Sequence, residues 1–323
     1  MKAVVFDEKL KVVPGVEIPK PKKDEALIRV LISGICNTDY EITKGYMGYK
    51  GIIGHEFIGI VEDVNCQDKY WIGKRVAGEI NNGCGICEWC RKGLERHCPD
   101  RETLGIWKKD GCMAEYVTIP IKNLIEIPEN VATEEAVFIE PLAAALEILE
   151  QLHIKPFEKV AVLGDGKLGL ITALALNASG LDVVLIGKHE NKLDIAKEQN
   201  VKTLLLKDVN VQKYFDVVVE ATGSITGFET SISLVKPRGV LVLKSTIAAS
   251  KEFNFAPIVV DEITVLGSRC GQFKPALRYM EQKKINFKPL ISGVFSIDDA
   301  LIAFKRNADK DSVKILIKTE NEK

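Results

Sequence analysis

Residues 159–180, KVAVLGDGKLGLITALALNASG, decide the fold of this chain. A short apolar run typical of a buried strand leads into a glycine-rich turn, and an apolar segment of helical length then continues to Gly180. Strands alternating with helices predict an α/β fold whose doubly wound parallel sheet has both faces covered. The alternation continues downstream, with further strands predicted in DVVLIG (182–187), FDVVVEATG (215–223), GVLVLKS (239–245) and EITVLGS (262–268).

The glycine-rich turn has the spacing G-x-G-x-x-G at Gly164, Gly166 and Gly169. The first glycine permits a tight turn, the second lets the backbone approach a pyrophosphate, and the third lets helix and strand pack closely. The helix then opens at Lys167 and Leu168, where free amides and the helix dipole can hold the anion. The motif therefore predicts a Rossmann domain that binds a dinucleotide. The alternative is an ordinary βα turn that is rich in glycine.

The end of the second predicted strand bears on which dinucleotide is bound. A carboxylate there would accept a hydrogen bond from the ribose 2′-OH of NAD, but Gly187 occupies the expected position. Lys188 and His189 follow, and cationic side chains can meet a 2′-phosphate. We therefore expect NADP to be favoured, with NAD as the alternative if these two residues form only a solvated turn. Thr222 and Arg269 follow later strands and are further candidate cofactor contacts.

Length and charge exclude several classes of protein. The chain has 323 residues, enough for two domains with cores of their own. A net charge of −1 provides no basic surface for nucleic acid. No apolar run reaches the ~18 residues of a membrane span, and residues 1–10, MKAVVFDEKL, carry charges unlike those of a signal peptide. We therefore expect a cytoplasmic protein without nucleic-acid or membrane partners.

The chain outside the predicted parallel sheet has a different character. Its first 130 residues predict many short strands separated by turns. Near Thr133 the pattern changes, and residues 132–152 predict a helix that is interrupted at Pro141. From about Arg269 the tail contains two amphipathic helical stretches and a closing strand, VKILIK (313–318).

A cluster of cysteines lies in GCGICEWCRKGLERHC (83–98). Its spacing is C-x2-C-x2-C-x7-C, formed by Cys84, Cys87, Cys90 and Cys98. Four thiolates in one loop match a closed tetrahedral zinc site that leaves no position for a substrate, so we predict a structural zinc. A disulfide staple is disfavoured in the cytosol. A redox pair and an iron–sulfur cluster remain as alternatives, and His97 is interpreted as a bystander.

A second set of chemically active residues is scattered over three segments. Thiolate, imidazole and carboxylate groups from separate segments suit a catalytic zinc with an exchangeable position. Each residue alone also fits a structural or solvated role, so the set as a whole carries the prediction. The residues are Cys36, Thr38 and Asp39 in SGICNTDY, His55 and Glu56 in GHEF, and Glu140 in FIEPLA.

At these residues the chain resembles the zinc-containing medium-chain dehydrogenase/reductase family of the alcohol dehydrogenase superfamily. Glu140 stands where classical alcohol dehydrogenases use cysteine, which is similar to the sorbitol/threonine dehydrogenase branch. The resemblance implies a GroES-like β-barrel catalytic domain over 1–134, a Rossmann domain over 135–268, and a segment, 269–323, that returns to the catalytic domain. The motifs that carry it are GICNTDY, GHEFIG, the cysteine cluster, DGCMAEYV, EPLA and LGDGKLG.

The resemblance also implies an enzyme. It would transfer hydride between a secondary alcohol or polyol, or the matching carbonyl compound, and NAD(P), with NADP favoured. It would hold two zinc ions per chain, one catalytic and one structural, and form a homodimer or homotetramer. The alternatives are a zinc-independent reductase of the same superfamily and a dinucleotide-binding protein without enzymatic activity.

Individual roles follow from the same resemblance. Thr38 would hydrogen-bond the substrate hydroxyl and begin proton removal, and Asp39 would orient the histidine ligand. Position 41, where classical members place a histidine that passes the proton outward, is a glutamate here, so the relay beyond Thr38 is unassigned. The residues implied to bind the catalytic zinc, directly, through water or alternately, are Cys36, His55, Glu56 and Glu140.

Overall fold

A computed structural model of the chain describes residues 1–246 and 253–319. It contains two compact units. The first comprises Met1–Glu140 and Ile291–Lys323, and the second comprises Pro141–Leu290. No helix in the described part of the chain is long and apolar enough to cross a membrane.

These unit boundaries differ from the predicted ones at 134/135 and 268/269. Residues 269–290 belong to the second unit, where they hydrogen-bond with residues of its earlier segments. The hydroxyl groups of Ser179 and Tyr279 hydrogen-bond at 2.7 Å, and the Gln199 amide donates to the Asn286 carbonyl at 3.0 Å. The chain therefore returns to the first unit only at Ile291.

The first unit consists mainly of short strands. Up to residue 140 its strands are β1 (Ala3–Asp7), β2 (Lys9–Val13), β3 (Glu25–Gly34), β4 (Gly51–Ile52), β5 (Glu56–Val64), β6 (Arg75–Gly78), β7 (Asn81–Asn82), β8 (Glu102–Leu104), β9 (Lys108–Lys109), β10 (Tyr116–Pro120) and β11 (Leu124–Glu126). Its helices over the same stretch are α1 (Asn37–Ile42), α2 (Glu88–Arg91) and α3 (Thr133–Ala136).

The second unit alternates strands and helices, as the sequence predicts. It begins within α4 (Ile139–Gln151). The elements that follow are β12 (Lys159–Leu163), α5 (Lys167–Ala178), β13 (Asp182–Gly187), α6 (Glu190–Lys197), β14 (Lys202–Leu205), β15 (Phe215–Glu220), α7 (Ile225–Leu234), β16 (Val235–Leu243), α8 (Ala256–Val260), β17 (Thr264–Gly267) and α9 (Phe273–Glu281). The chain then re-enters the first unit with β18 (Ile291–Ser296), α10 (Ala300–Asn307) and β19 (Lys314–Lys318).

The six strands of the second unit form a parallel sheet in the order β14-β13-β12-β15-β16-β17. The direction of winding reverses between β12 and β15, and ligands of such sheets bind beside this switch point, outside the carboxyl ends of the strands. The predicted strands are confirmed, and β14 is an additional strand that we did not predict.

Strand β3 organises the first unit. Seven strands form its main sheet in the order β11-β6-β5-β3-β19-β18, with β10 also pairing with β3. Register shifts between β3 and β5 at Leu27/Ile28 and Val30/Ile32 bend the long strand, which allows its two ends to pair with different neighbours. A buried core supports the end of β3 and the α1 helix after it, and includes Val4, Ile35, Ile42, Ile53, Met113, Phe304, Ile315 and Ile317.

The helix predicted over 132–152 is divided, but not at Pro141. Helix α3 ends at Ala136 and α4 begins at Ile139, so Pro141 lies in the first turn of α4. A proline is tolerated there because the amide it lacks would have no partner within the helix.

Candidate functional site

Three residues predicted to bind a catalytic metal lie together in the first unit. Cys36 directly precedes α1, His55 precedes β5, and Glu56 begins that strand. One potential ligand atom of each residue lies within 4.8 Å of the other two. His55 and Glu56 are buried, while Cys36 is partly accessible. Sulfur, imidazole nitrogen and carboxylate oxygen are the donors that zinc takes from proteins, so the residues present fit a resident zinc ion.

Asp39 fixes both sides of this cluster. Its Oδ2 accepts a hydrogen bond from the Cys36 backbone amide at 2.8 Å, which holds the thiol at the start of α1. Its Oδ1 lies 3.3 Å from Nδ1 of His55, and both atoms are buried with no other partner among the described residues. Asp39 therefore orients the imidazole so that Nε2 is the nitrogen left for a metal.

Neighbouring negative charges favour the protonated form of His55. Burial would lower the pKa of His55, but the negative charges of Asp39 and Cys36 outweigh it and raise this pKa well above its ordinary value. Since a ligand histidine must be neutral, metal binding has to displace a proton from the cluster.

Thr38 and Glu41 both lie on α1. The hydroxyl of Thr38 is 3.7 Å from the Cys36 sulfur, so the structure places the predicted proton acceptor beside the predicted ligand. The Glu41 carboxylate forms an ion pair with the Lys44 ammonium at 2.9 Å. That ion pair gives no indication of a proton relay beyond Thr38.

Lys314 is a member of this site that sequence reasoning missed. It begins β19, its side chain is only 2% exposed, and its Nζ pairs with Oε2 of Glu56. It also donates to the Ile35 carbonyl at 3.4 Å. Burial would lower the pKa of Lys314, but the charges of Glu56 and Cys36 raise it. The signal available in the sequence was a lysine between Val313 and Ile315, at the start of an apolar run in the closing strand.

Gly34 makes room for this buried ion pair. It lies directly opposite Glu56 in the register of β3 and β5. A Cβ at Gly34 would overlap Oε2 of Glu56 and approach the Val137 side chain to 2.9 Å. The central strand of the sheet therefore ends in glycine because neighbouring strands place a carboxylate and its counter-ion there.

Glu140 lies apart from the three clustered ligand candidates. It is buried at the start of α4, and its charge contributes to the raised pKa of Lys314. None of its oxygens belongs to the group of atoms within 4.8 Å of one another. The structure thus brings Cys36, His55 and Glu56 together and leaves Glu140 outside that group.

The predicted cysteine quartet is assembled by a tight loop around α2. All four sulfur atoms lie within 4.8 Å of one another, which fits a four-thiolate zinc site. The Cys90 and Cys84 amides point to the sulfurs of Cys87 and Cys98 at 3.5 and 3.4 Å. Backbone N–H groups of Ile86 and Cys87 lower the pKa of Cys84 to about 7. His97 lies outside the quartet and packs its ring against Trp89.

The glycine-rich turn of the second unit has the predicted geometry. Gly164 adopts a φ of +117°, and a Cβ there would lie 2.7 Å from the Ala221 carbonyl. Gly166 caps α5 and has open space where a side chain would be, which leaves the first amides of the helix, at Lys167 and beyond, accessible to an anion. At Gly169 a Cβ would overlap the Gly164 carbonyl, so close packing requires glycine.

Asp165, between the first two glycines, is a second residue that we missed. Its side chain reaches the end of β13, where a Cβ on Gly187 would lie 2.5 Å from Oδ2. Oδ2 accepts hydrogen bonds from the amides of Lys188 and His189 at 2.7 and 2.6 Å. The sequence interpretation treated this strand end as lacking an acid, whereas the structure supplies one from the neighbouring turn.

Thr222 and Arg269 both follow carboxyl ends of strands in the parallel sheet. The buried Glu220 carboxylate accepts hydrogen bonds from the Thr222 amide and hydroxyl at 2.7 and 2.5 Å, which fixes the loop after β15. Arg269 is exposed after β17, and its carbonyl accepts a hydrogen bond from Lys244 at 2.9 Å. Both residues therefore lie at the edge of the sheet where this fold binds ligands.

The fold and the two sets of metal donors define a zinc-type dehydrogenase with a dinucleotide-binding unit. Residues 22–129 match the alcohol dehydrogenase GroES-like domain, and residues 168–283 match the zinc-binding dehydrogenase family. D-arabinitol dehydrogenase 1 of Uromyces fabae is 30% identical, over 94% of this chain and 92% of that protein. Sorbitol dehydrogenase of Halalkalibacterium halodurans is 28% identical, over 93% of each chain.

Solved structures of dehydrogenases are similar to this chain over nearly its whole length. A protein of Sinorhizobium meliloti 1021 described as a zinc-binding dehydrogenase and bound to NADP is 29% identical, with a TM-score of 0.89 over 98% of both chains. A protein of E. coli CFT073 described as a short chain alcohol dehydrogenase and complexed with NADH is 25% identical, with a TM-score of 0.90 over 98% of this chain and 99% of that one. The chain belongs to the zinc-containing medium-chain dehydrogenase/reductase family. The predicted fold class and the prediction of a zinc- and NAD(P)-dependent oxidoreductase are confirmed.

Proposed function

We propose that this enzyme oxidises a polyol or another secondary alcohol to the matching carbonyl compound, with NAD(P)+ as hydride acceptor, and catalyses the reverse reduction. The observation that carries the proposal is the group formed by the partly accessible Cys36 and the buried His55 and Glu56, whose ligand atoms lie within 4.8 Å of one another. The polyol class is supported by relatives named for sorbitol and D-arabinitol that align over more than nine-tenths of the chain.

The residues of the first unit have separable roles in this proposal. Cys36 and His55 would hold the zinc, with Asp39 fixing the imidazole through Nδ1. When bound, zinc supplies a Lewis acid for the substrate oxygen, and the nicotinamide accepts the hydride. Thr38, whose hydroxyl is 3.7 Å from the Cys36 sulfur, would accept the hydrogen bond of the substrate hydroxyl and begin proton removal.

Two carboxylates, those of Glu56 and Glu140, remain candidates for the zinc ligands beyond Cys36 and His55. Glu56 belongs to the cluster and is paired with Lys314. Glu140 is buried and close enough to contribute to the raised pKa of Lys314. We propose that Lys314 holds the Glu56 carboxylate in place while Glu140 serves as the second acidic group. The four-cysteine loop would hold a separate zinc that is structural.

Metal analysis combined with turnover tests the proposal. The wild-type enzyme, Cys36→Ser and the matched control Cys66→Ser would be assayed for zinc by mass spectrometry. Reduction of NAD+ and NADP+ would be followed with sorbitol, xylitol, arabinitol and 2-propanol. Cys66 is suitable as the control because its thiol lies near the surface, where it donates a hydrogen bond to the Asp68 carbonyl at 2.9 Å, and it is not a member of either group of metal-ligand candidates. We expect two zinc ions in the wild type and the control, and one in Cys36→Ser, which should be inactive. Turnover by a Cys36→Ser enzyme with one zinc would contradict the assignment.

We also propose a homodimer formed through the edge of the parallel sheet. Strand β17 pairs only with β16 among the described strands, so its outer backbone groups can pair with another strand. The neighbouring α8 region exposes Phe255, Val259 and Val260 by 65%, 73% and 77%. Light scattering of Val260→Lys should give the mass of a monomer where the wild type gives a dimer. A monomeric wild type would refute this assembly.

The cytoplasm remains the expected location. It is supported by the eight cysteines, none of which forms a disulfide, as is usual in a reducing compartment.

A further inference from the structure

The end of strand β13 contains a carboxylate that does not come from that strand. Gly187 closes the strand and offers no side chain. The space is filled by Asp165 from the glycine-rich turn after β12, because a Cβ on Gly187 would lie 2.5 Å from Oδ2 and 2.7 Å from Cγ of Asp165. The two positions therefore compete for the same volume, and this chain places the acid on the turn.

The Asp165 carboxylate is held firmly. Oδ2 accepts hydrogen bonds from the amides of Lys188 and His189 and lies 3.0 Å from Nδ1 of His189. Oδ1 lies 3.2 Å from the same ring nitrogen. The side chain is 10% exposed, so a narrow face of a fixed acceptor remains accessible. The His189 imidazole, which was predicted to contact a 2′-phosphate, is thus directed toward the Asp165 carboxylate.

We propose that Asp165 takes the place of the missing strand-end acid, accepts a hydrogen bond from the adenosine ribose 2′-OH and excludes a 2′-phosphate. An acid at the end of the second strand is the group that recognises this hydroxyl in dinucleotide-binding folds. A carboxylate offers no donor to a phosphate and repels its charge. The enzyme therefore prefers NAD, contrary to the NADP preference predicted from Gly187, Lys188 and His189. This inference deepens the proposed function by naming the dinucleotide.

The test is a binding measurement that needs neither substrate nor turnover. Calorimetric titration of the purified full-length enzyme with ADP-ribose and with 2′-phospho-ADP-ribose gives the preference directly. A hydrogen bond to a charged group corresponds to roughly 10- to 100-fold in affinity, so we expect ADP-ribose to bind at least about tenfold more tightly. Tighter or equal binding of 2′-phospho-ADP-ribose by the wild type would overturn the proposal.

Variants locate the preference at one carboxylate. Asp165→Asn removes the charge and should reduce the preference by about tenfold or more. The matched control is Asp182→Asn, which makes the same change at the opposite end of β13, where the carboxylate pairs with Lys202 at 2.6 Å. The control should keep the wild-type ratio. An unchanged ratio in Asp165→Asn would overturn the proposal.

A double variant distinguishes loss of the carboxylate from a folding defect in the single variants. Asp165→Gly together with Gly187→Asp moves the acid to the strand end while removing the side chain that would clash with it. We expect this variant to regain the preference for ADP-ribose that Asp165→Gly alone loses. A folded double variant without any preference would contradict the proposal. These titrations measure only the binding of the ribose compounds. Their outcome therefore does not depend on whether the enzyme oxidises an alcohol.

Discussion

Replacing Lys314 by methionine should strongly destabilise the first unit. Its ion pair with Glu56 is buried, with side chains 2% and 1% exposed. Methionine retains much of the alkyl chain but leaves the carboxylate buried without its counter-charge. Removing one partner of a buried pair lowers the free energy of unfolding by about 3–5 kcal/mol. With a shift of ~2–4 °C per kcal/mol, the melting temperature should fall by about 6–20 °C.

The assay is thermal unfolding of the zinc-free enzyme followed by circular dichroism at pH 7.5. This pH lies well below 10.5, the ordinary pKa of lysine, and the pKa of Lys314 is raised in the folded state. The stabilisation is therefore fully present in the assay and is lost only when pH rises through the folded-state pKa. Zinc is removed so that its charge does not compensate the isolated carboxylate.

Lys318→Met is the matched control on the same strand. Lys318 pairs with Glu134 at 3.3 Å, but the two side chains are 34% and 39% exposed, so its loss should change stability by less than ~1 kcal/mol. Adding Glu56→Gln to Lys314→Met should recover part of the loss, because both charges are then gone. If Lys314→Met melts no lower than Lys318→Met, the pair does not stabilise the unit and the reasoning fails.

Three further predictions concern other residues. Cys98→Ser should lose one zinc ion and melt at lower temperature while folded enzyme remains active; unchanged metal content would refute the structural assignment. Thr38→Val should lower kcat by ~100-fold or more with both zinc ions retained, and normal turnover would remove Thr38 from proton transfer. Burial would raise the pKa of Glu25, but its hydrogen bonds, including that from Lys109 at 2.9 Å, lower it. Glu25→Gln should therefore lose about 1–3 kcal/mol at pH 7, and urea titrations should show the difference from wild type vanishing as pH falls below 4.5; a difference independent of pH would contradict this.

Features determined by neighbouring residues were predictable from the sequence. The cysteine quartet closes within one loop, so its spacing alone predicts that four sulfurs can meet. The glycine-rich turn is equally local, because the positive φ of Gly164 and the close packing at Gly169 arise within one strand–turn–helix segment. The alternation of strands and helices likewise predicted the parallel sheet.

Features determined by strand register were not predictable. Lys314 and Glu56 are 258 residues apart, and they meet because β5 and β19 lie on either side of β3. The pairing of Asp165 with the end of β13 similarly depends on how two parallel strands are aligned. A single sequence gives the composition of each strand but not which residues lie opposite one another.

Gly34 and Gly187 have the same physical explanation. Each closes a strand, and each lies against a carboxylate from a neighbouring segment, Glu56 in one case and Asp165 in the other. At the end of β13, glycine was interpreted as the absence of an acid. In both units it instead creates the volume that a functional group from elsewhere occupies. At Gly34 and at Gly187 the acid therefore comes from a neighbouring segment, because only a residue without Cβ leaves space for it.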